Sequence, residues 1–169
     1  MNSFDEAYLK ILNEHKNYFG YEINDEAFTP FEYKSVYCCA SYLNKNINHV
    51  LERLKSRTNN DLNDIFIVLK RGIDKFLQLS KTKYKNRIKN SFHIISKEYK
   101  NFKLVIEITK NQQKDTLKYL ENQSDFFYKC DYICFLYTIL ESNMIKKSLD
   151  DELYIEEVED TNNEILYVN

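Results

Sequence analysis

Histidine and cysteine are the side chains that most often act as catalysts or bind metals. This sequence of 169 residues has only three histidines and four cysteines. Cys38 and Cys39 are adjacent, whereas Cys130 and Cys134 are four residues apart. Neither pair therefore has the C-x2-C spacing typical of zinc sites. The histidines are far apart in the sequence: His15, His49 and His93. We therefore predict no metal and no cofactor, and we interpret the cysteines as small apolar core residues.

Arg87 and His93 are six positions apart, which is the one spacing with a catalytic precedent. The run resembles the loose R-x4–6-H signature of HEPN-type ribonucleases, all-α domains that place both residues where two helices meet to cleave RNA. That family commonly has a polar residue after the arginine, where this sequence has Ile88. On a straight helix, six steps of about 100° place Arg87 and His93 about 120° apart, so they do not share a face. We predict that the protein is not an enzyme, and the HEPN-like ribonuclease is the least favoured alternative.

Charged residues are segregated along the chain, although the net charge is only −2. Residues 1–29 hold two bases and six acids, a net −4, and residues 30–114 hold 18 bases and seven acids, a net +11. Residues 115–169 hold four bases and 13 acids, a net −9. Segregation on this scale is more informative about partners than the near-neutral total. The alternative is that folding brings the blocks together and leaves an ordinary dipolar surface.

The segment 150–169 contains eight acids and no base, together with apolar residues that we expect to be exposed, namely Tyr154, Ile155, Leu166 and Tyr167. Acidic residues steer association with a basic protein, and aromatic anchors hold the complex. We therefore predict a non-catalytic protein-binding module of the inhibitor or immunity type, which neutralises a basic partner such as a nuclease toxin. The predicted partner-binding residues are Asp150, Asp151, Glu152, Tyr154, Glu156, Glu157, Glu159, Asp160 and Tyr167.

The basic segment 70–103 supports a second interpretation, because it has 11 bases and only two acids, Asp74 and Glu98. Closely spaced lysines suit contact with the phosphate backbone of a nucleic acid without reading its bases. Arginine, the best reader of base edges, is scarce in this sequence. The alternative nucleic-acid-binding residues are Lys81, Lys83, Lys85, Arg87 and Lys89.

The elements that position these residues are predicted to be helices. Two glycines and one proline are too few for a turn-dense all-β fold or a glycine-rich phosphate loop. Two capping boxes, at Ser3–Glu6 and Thr29–Glu32, mark helix starts. Apolar residues recur every three or four positions through much of the chain, as on the buried face of a helix. The predicted helices span residues 4–19, 30–56, 61–80, 82–109 and 115–146.

The predicted fold is an all-α, single-domain bundle of about five helices over residues 1–149, with an acidic appendage at 150–169. Residues 126–140 are apolar almost all round, which predicts that the fifth helix is the buried central one. The appendage is either a β-hairpin or an acidic helix with a tail, because its spacing fits both. No leader peptide and no apolar run near 20 residues is visible, so we expect a soluble, cytoplasmic protein.

Overall fold

The structure is a computed structural model that describes residues 16, 30–40, 49–112, 114, 129–141 and 164–169. Two helices are present in this part of the chain, α1 (His49–Arg57) and α2 (Leu62–Leu79). Six strands form one sheet: β1 (Phe31–Tyr33), β2 (Val36–Ala40), β3 (Lys89–Ser96), β4 (Phe102–Lys110), β5 (Tyr132–Glu141) and β6 (Glu164–Val168). Among the described residues, neither helix is long and apolar enough to cross a membrane.

The sheet is mixed, with the strand order β1-β2-β5-β4-β3-β6. The pairs β1–β2, β3–β4 and β4–β5 are antiparallel, whereas β2–β5 and β3–β6 are parallel. The register of β4 and β5 shifts between Val105 and Ile106, because Tyr137 has no direct partner on β4. Such a bulge turns a side chain away from the regular alternation of the strand.

The main core lies between the two helices and one face of the sheet. Every second residue of a strand points to the same face, and Ile94, Ile106 and Leu166 from three strands are buried against α2 residues such as Leu69 and Phe76. The other face of the sheet also carries buried apolar side chains, including Tyr37. Burial on both faces explains why the strand sequences are apolar runs without a clean polar alternation.

The prediction of an all-α bundle is wrong, because three of its five helices fall on strands. The segment 82–109 contains β3 and nearly all of β4, and within β3 Ile94 is fully buried whereas its neighbour Ile95 is only partly buried. A helix would instead place Ile95, three residues after Phe92, on the same face as Phe92 and leave Ile94 off that face. Short apolar runs fit a helix and a buried strand equally well until their long-range pairing is known. In this segment the strands are stabilised by the antiparallel pairing of β3 with β4 and of β4 with β5.

The predicted central helix over 115–146 and the predicted helix over 30–56 need the same correction. Residues 132–141 are β5, an inner strand between β2 and β4, which explains their apolar character on all sides. Residues 31–40 form the β1–β2 hairpin, whose two-residue turn has positive φ at Lys34 (50°) and Ser35 (65°). Positive φ at both central residues is the pattern of a type I′ turn. Only the end of the predicted 30–56 helix is helical, as α1.

The helix predicted at 61–80 is confirmed as α2. Asp61 caps its N-terminus, and the carboxylate accepts a hydrogen bond from the backbone N–H of Asp64 at 3.0 Å. Gly72 allows the helix to approach the sheet closely, since a Cβ there would lie 2.3 Å from Cδ1 of Ile94. The helix predicted at 4–19 and the acidic residues 150–163 lie outside the described residues, apart from Lys16, which is helical.

Candidate functional site

Strand β6 forms one edge of the sheet and carries the most exposed large apolar side chain of the described residues. Tyr167 is 60% exposed and Ile165 is 43% exposed. Leu166 and Val168, which alternate with them along the strand, are buried in the main core. Ile165 lies beside His93 and Tyr167 lies beside Ile95 on β3. The strand therefore has one face in the core and an apolar face in solvent.

The backbone N–H and C=O groups of β6 also fall into two sets, one directed toward β3 and one directed away from it. In a parallel pair, alternate residues direct both their N–H and their C=O toward the neighbouring strand. The N–H of Lys97 donates to the carbonyl of Val168 at 2.9 Å, so Val168 bonds toward β3. By alternation, Ile165 and Tyr167 direct their N–H and C=O groups away from β3. We call these two residues, with their side chains and outward backbone groups, the β6 strip.

The first residue of β6, Glu164, is held by three side chains of the α2–β3 connection. The Tyr84 hydroxyl donates to its Oε2 at 2.7 Å, and Nη1 of Arg87 donates to its Oε1 at 2.5 Å. Nζ of Lys83 lies 3.2 Å from Oε2. Partial burial alone would raise the pKa of Glu164, but the hydrogen bonds from Arg87, Tyr84 and Lys83 outweigh it and lower that pKa to about 2.

The other end of β6 is fixed as well. The carbonyl oxygen of Asn169 accepts hydrogen bonds from Ser96 Oγ at 2.5 Å and from Nη1 of Arg71 at 2.9 Å. Arg71 also pairs with Glu98 at 2.7 Å. With both ends held and one face in the core, the β6 strip is a preorganised surface.

The predicted partner-binding residues are only in part described. Tyr167 is exposed, and it belongs to the β6 strip. Leu166 was expected to be exposed as well, but it is only 2% exposed, because a strand places neighbouring residues on opposite faces. The remaining eight lie outside the described residues: Asp150, Asp151, Glu152, Tyr154, Glu156, Glu157, Glu159 and Asp160.

The alternative nucleic-acid-binding residues are brought together on the surface. All five are exposed, four in the α2–β3 connection and one at the start of β3: Lys81, Lys83, Lys85, Arg87 and Lys89. The buried Tyr84 anchors the connection, and its ring stacks on Phe76 with the centroids 5.7 Å apart. Lys110 at the end of β4 joins them, because its Nζ lies 3.4 Å from the carbonyl oxygen of Lys85. Sequence reasoning missed Lys110, which lies 21 positions beyond Lys89 in the chain.

A buried carboxylate lies on the sheet face that points away from the main core. Glu107 is 6% exposed, and it accepts a hydrogen bond from the hydroxyl of Tyr137, the bulge residue of β5. Nζ of Lys89 lies 3.1 Å from its other oxygen. These partners satisfy the carboxylate, so we interpret the group as a polar link between β3, β4 and β5. Sequence reasoning had no signal for it, because the three residues come from three separate strands.

Arg87 and His93 do not form the arrangement that the ribonuclease resemblance requires. Neither residue is on a helix. Arg87 lies in the α2–β3 connection and binds Glu164 of β6, and His93 lies within β3. Nε2 of His93 is buried and meets no hydrogen-bonding atom in the described part of the chain. Burial, followed by the charge of Lys103, lowers the pKa of His93 to about 4, so the ring is neutral at pH 7.

The four cysteines are free and buried, as their interpretation as core residues predicts. Cys38 and Cys134 face each other across the parallel pair β2–β5. Burial raises the pKa values of Cys38 and Cys39 well above the usual range for a thiol, so both remain protonated and unreactive at neutral pH. Within the described residues, no group of three or more histidine, cysteine or acidic side chains could hold a metal ion.

Comparisons with known proteins place no relative beside this chain: no family model, no curated protein and no solved structure matches it.

Proposed function

We propose that the protein is a non-catalytic protein-binding module that engages its partner along the β6 strip. The exposure of Ile165 and Tyr167, on an edge strand whose outer N–H and C=O groups point outward, is the observation that carries this proposal. An edge of this kind accepts an extended segment of another protein as an additional strand. Backbone hydrogen bonds then give affinity, and the two apolar side chains give specificity.

Rigidity favours this use of the strand. Glu164 and Asn169 are tied down at the two ends, and Leu166 is packed in the core, so the strip loses little conformational entropy on binding. Tyrosine is also among the residue types that dominate interface energies. The acidic segment 150–160 precedes the strip in the sequence, and it supports a partner with a basic surface, as for an inhibitor or immunity-type protein.

The test begins with the full-length protein as bait in an extract of its source, followed by identification and purification of the retained protein. Binding of the purified pair is then measured calorimetrically for the wild type, Tyr167→Ser and Ile165→Ser. We expect each substitution to weaken binding about 10-fold or more, as for a central interface anchor. Ile88→Ser is the matched control, because Ile88 is 54% exposed but lies outside β6.

A proline variant tests the backbone contribution by comparison with Tyr167→Ser, because both substitutions remove the aromatic ring and only proline also removes the N–H. Tyr167→Pro removes an N–H that points away from β3, so it leaves the pairing with β3 intact while blocking an added strand. Circular dichroism and thermal unfolding verify that each variant is folded. Undiminished binding by folded Tyr167→Ser, Ile165→Ser and Tyr167→Pro variants would contradict the proposal.

A further inference from the structure

A basic surface lies at one end of the sheet and takes no part in the β6 strip. We call it the basic patch and define it by six residues: Lys81, Lys83, Lys85, Arg87, Lys89 and Lys110. The acids that contact it are Glu164, which pairs with Lys83 and Arg87, and Glu107, which pairs with Lys89. Six bases against two acids leave a net charge of +4.

We infer that the basic patch binds the phosphate backbone of a nucleic acid without reading its sequence. All six residues of the patch belong to the segment 30–114, which holds 18 bases and seven acids, a net charge of +11. Lysines present point charges to phosphates, and their release of counterions supplies sequence-independent affinity.

The surroundings of the patch explain why base readout is not expected. Tyr84, the aromatic residue of the connection, is buried against Phe76 and is not available to stack on a base. Arg87, the one arginine of the patch, is bound to Glu164 and lies over the Tyr84 ring at 5.1 Å. The residues that remain are lysines, which contact phosphates and carry little sequence information.

The connection is held firmly enough to present these charges in a fixed arrangement. The N–H of Tyr84 donates to the carbonyl of Leu79, and the N–H of Arg87 donates to the carbonyl of Tyr84, both at 3.1 Å. The N–H of Lys110 donates to the carbonyl of Ile88 at 2.8 Å, which ties the connection to the end of β4. Lys110 therefore belongs to the patch through the fold and not through the sequence.

Fluorescence anisotropy with labelled single-stranded RNA of about 16 nucleotides, and with a duplex DNA, tests the inference on the full-length protein. If three to six phosphates are contacted, raising the salt from about 50 mM to about 200 mM lowers the affinity about 20-fold to about 300-fold for the single-stranded RNA, and about 40-fold to about 2,000-fold for the duplex DNA. Lys81→Glu/Lys85→Glu is expected to weaken binding at least 10-fold, and to reduce the salt dependence by about one unit of slope per lysine.

Two further variants make the result specific. We expect Lys110→Glu alone to weaken nucleic-acid binding several-fold, because the fold places Lys110 beside Lys85 in the basic patch. The control is Lys55→Glu/Lys97→Glu, which changes the net charge by the same amount as Lys81→Glu/Lys85→Glu. Its two sites are exposed, on α1 and just after β3, and we expect it to bind nucleic acid like the wild type. Thermal unfolding verifies that all variants are folded.

The inference is overturned by any of three results. The first is no shift of RNA or DNA by the wild type at about 50 mM salt. The second is equal weakening by the patch variants and the Lys55/Lys97 control, which would reflect net charge alone. The third is tighter binding of the wild type to phosphatidylserine-rich vesicles than to either nucleic acid, which would assign the patch to a membrane surface.

Discussion

At the scale of single residues, Glu164 links the start of β6 to the connection that carries the basic patch. Its carboxylate collects hydrogen bonds from Tyr84, Lys83 and Arg87, and these favour the charged form. Burial, followed by the hydrogen bond to Glu164 and the negative charge of Glu164, raises the pKa of Tyr84 to about 12, so its hydroxyl remains a donor at neutral pH. Glu164 therefore joins the strand that carries the β6 strip to the connection that carries the basic patch, although it belongs to neither surface.

The low pKa of Glu164 predicts a pH dependence of folding. Its folded pKa, about 2, is below the ordinary 4.5, so its stabilising contribution is complete above pH 4.5 and is lost as the pH falls toward 2. We expect Glu164→Gln to be less stable than the wild type at pH 7. Between pH 4.5 and pH 2 the variant should lose less stability than the wild type, because it has no carboxylate to protonate at this position. Urea unfolding between pH 7 and pH 2 measures the difference.

His93 supplies the matched control because it titrates in a different window. Its folded pKa of about 4 lies below the ordinary 6.5, so the unfolded chain takes up the proton first and stability falls from pH 6.5 to pH 4. His93→Asn is expected to remove that loss while keeping the one below pH 4.5. An acid-induced loss between pH 4.5 and pH 2 that is identical in Glu164→Gln and the wild type would disprove the role given to Glu164.

At the scale of elements, α2 depends on Gly72 for its contact with β3. A Cβ at Gly72 would lie 2.3 Å from Cδ1 and 2.9 Å from Cγ1 of Ile94, a side chain that is fully buried. We expect Gly72→Ala to destabilise the protein by about 1 kcal/mol, because overpacking costs about 2 kcal/mol in the middle of its usual range and the gain in helix propensity offsets about 1 kcal/mol of that cost.

A double-mutant cycle isolates this contact. Ile94→Val removes Cδ1, so Gly72→Ala should cost less in the Ile94→Val background than in the wild type. Unfolding free energies from urea titrations provide the four corners of the cycle, and Gln78→Ala on the exposed side of α2 controls for helix propensity. Strictly additive effects would show that the close approach has no energetic consequence.

Helix α2 could be predicted from the sequence, whereas the strands could not. The cap at Asp61 and the apolar stripe of α2 are local signals, and both are present in the structure. For β3, β4 and β5 the deciding information is the pairing between distant segments, which no local pattern contains. The β1–β2 turn also has Lys34–Ser35 where Asn–Gly would have signalled a hairpin.

The candidate sites divide in the same way. The exposure of the bases from Lys81 to Lys89 could be predicted, because charged side chains are exposed in most folds. The opposite orientations of Ile165 and Leu166 required knowledge of the strand. The addition of Lys110 to the basic patch required the pairing of β3 with β4.

At the scale of the whole molecule, acidic and basic residues are segregated along the chain. Residues 30–114 carry a net charge of +11, whereas residues 1–29 and 115–169 carry net charges of −4 and −9. A protein with such a charge distribution can associate with partners of opposite sign through different segments. This division is compatible with both the proposed basic protein partner and the inferred nucleic acid.

The acidic segment makes a separate prediction about the protein partner. Replacing Asp150, Asp151 and Glu152 by Asn, Asn and Gln should slow association with a basic partner and weaken the salt dependence of the association rate, with little change in the dissociation rate. Stopped-flow association at several salt concentrations measures this, and Asp61→Asn serves as a control acid at the start of α2. An unchanged association rate would exclude steering by this segment.

The parallel pairing of β6 with β3 also has a consequence for how the chain assembles. The β3–β4 hairpin joins neighbouring segments, but β6 reaches β3 only after about 70 intervening residues, so it is expected to dock late. Until then the outer edge of Phe92–Ser96 is open to pairing with other chains. We therefore expect the docking of β6 to protect this edge from aggregation during folding, so that substitutions that weaken the docking lower soluble yield more than they lower equilibrium stability.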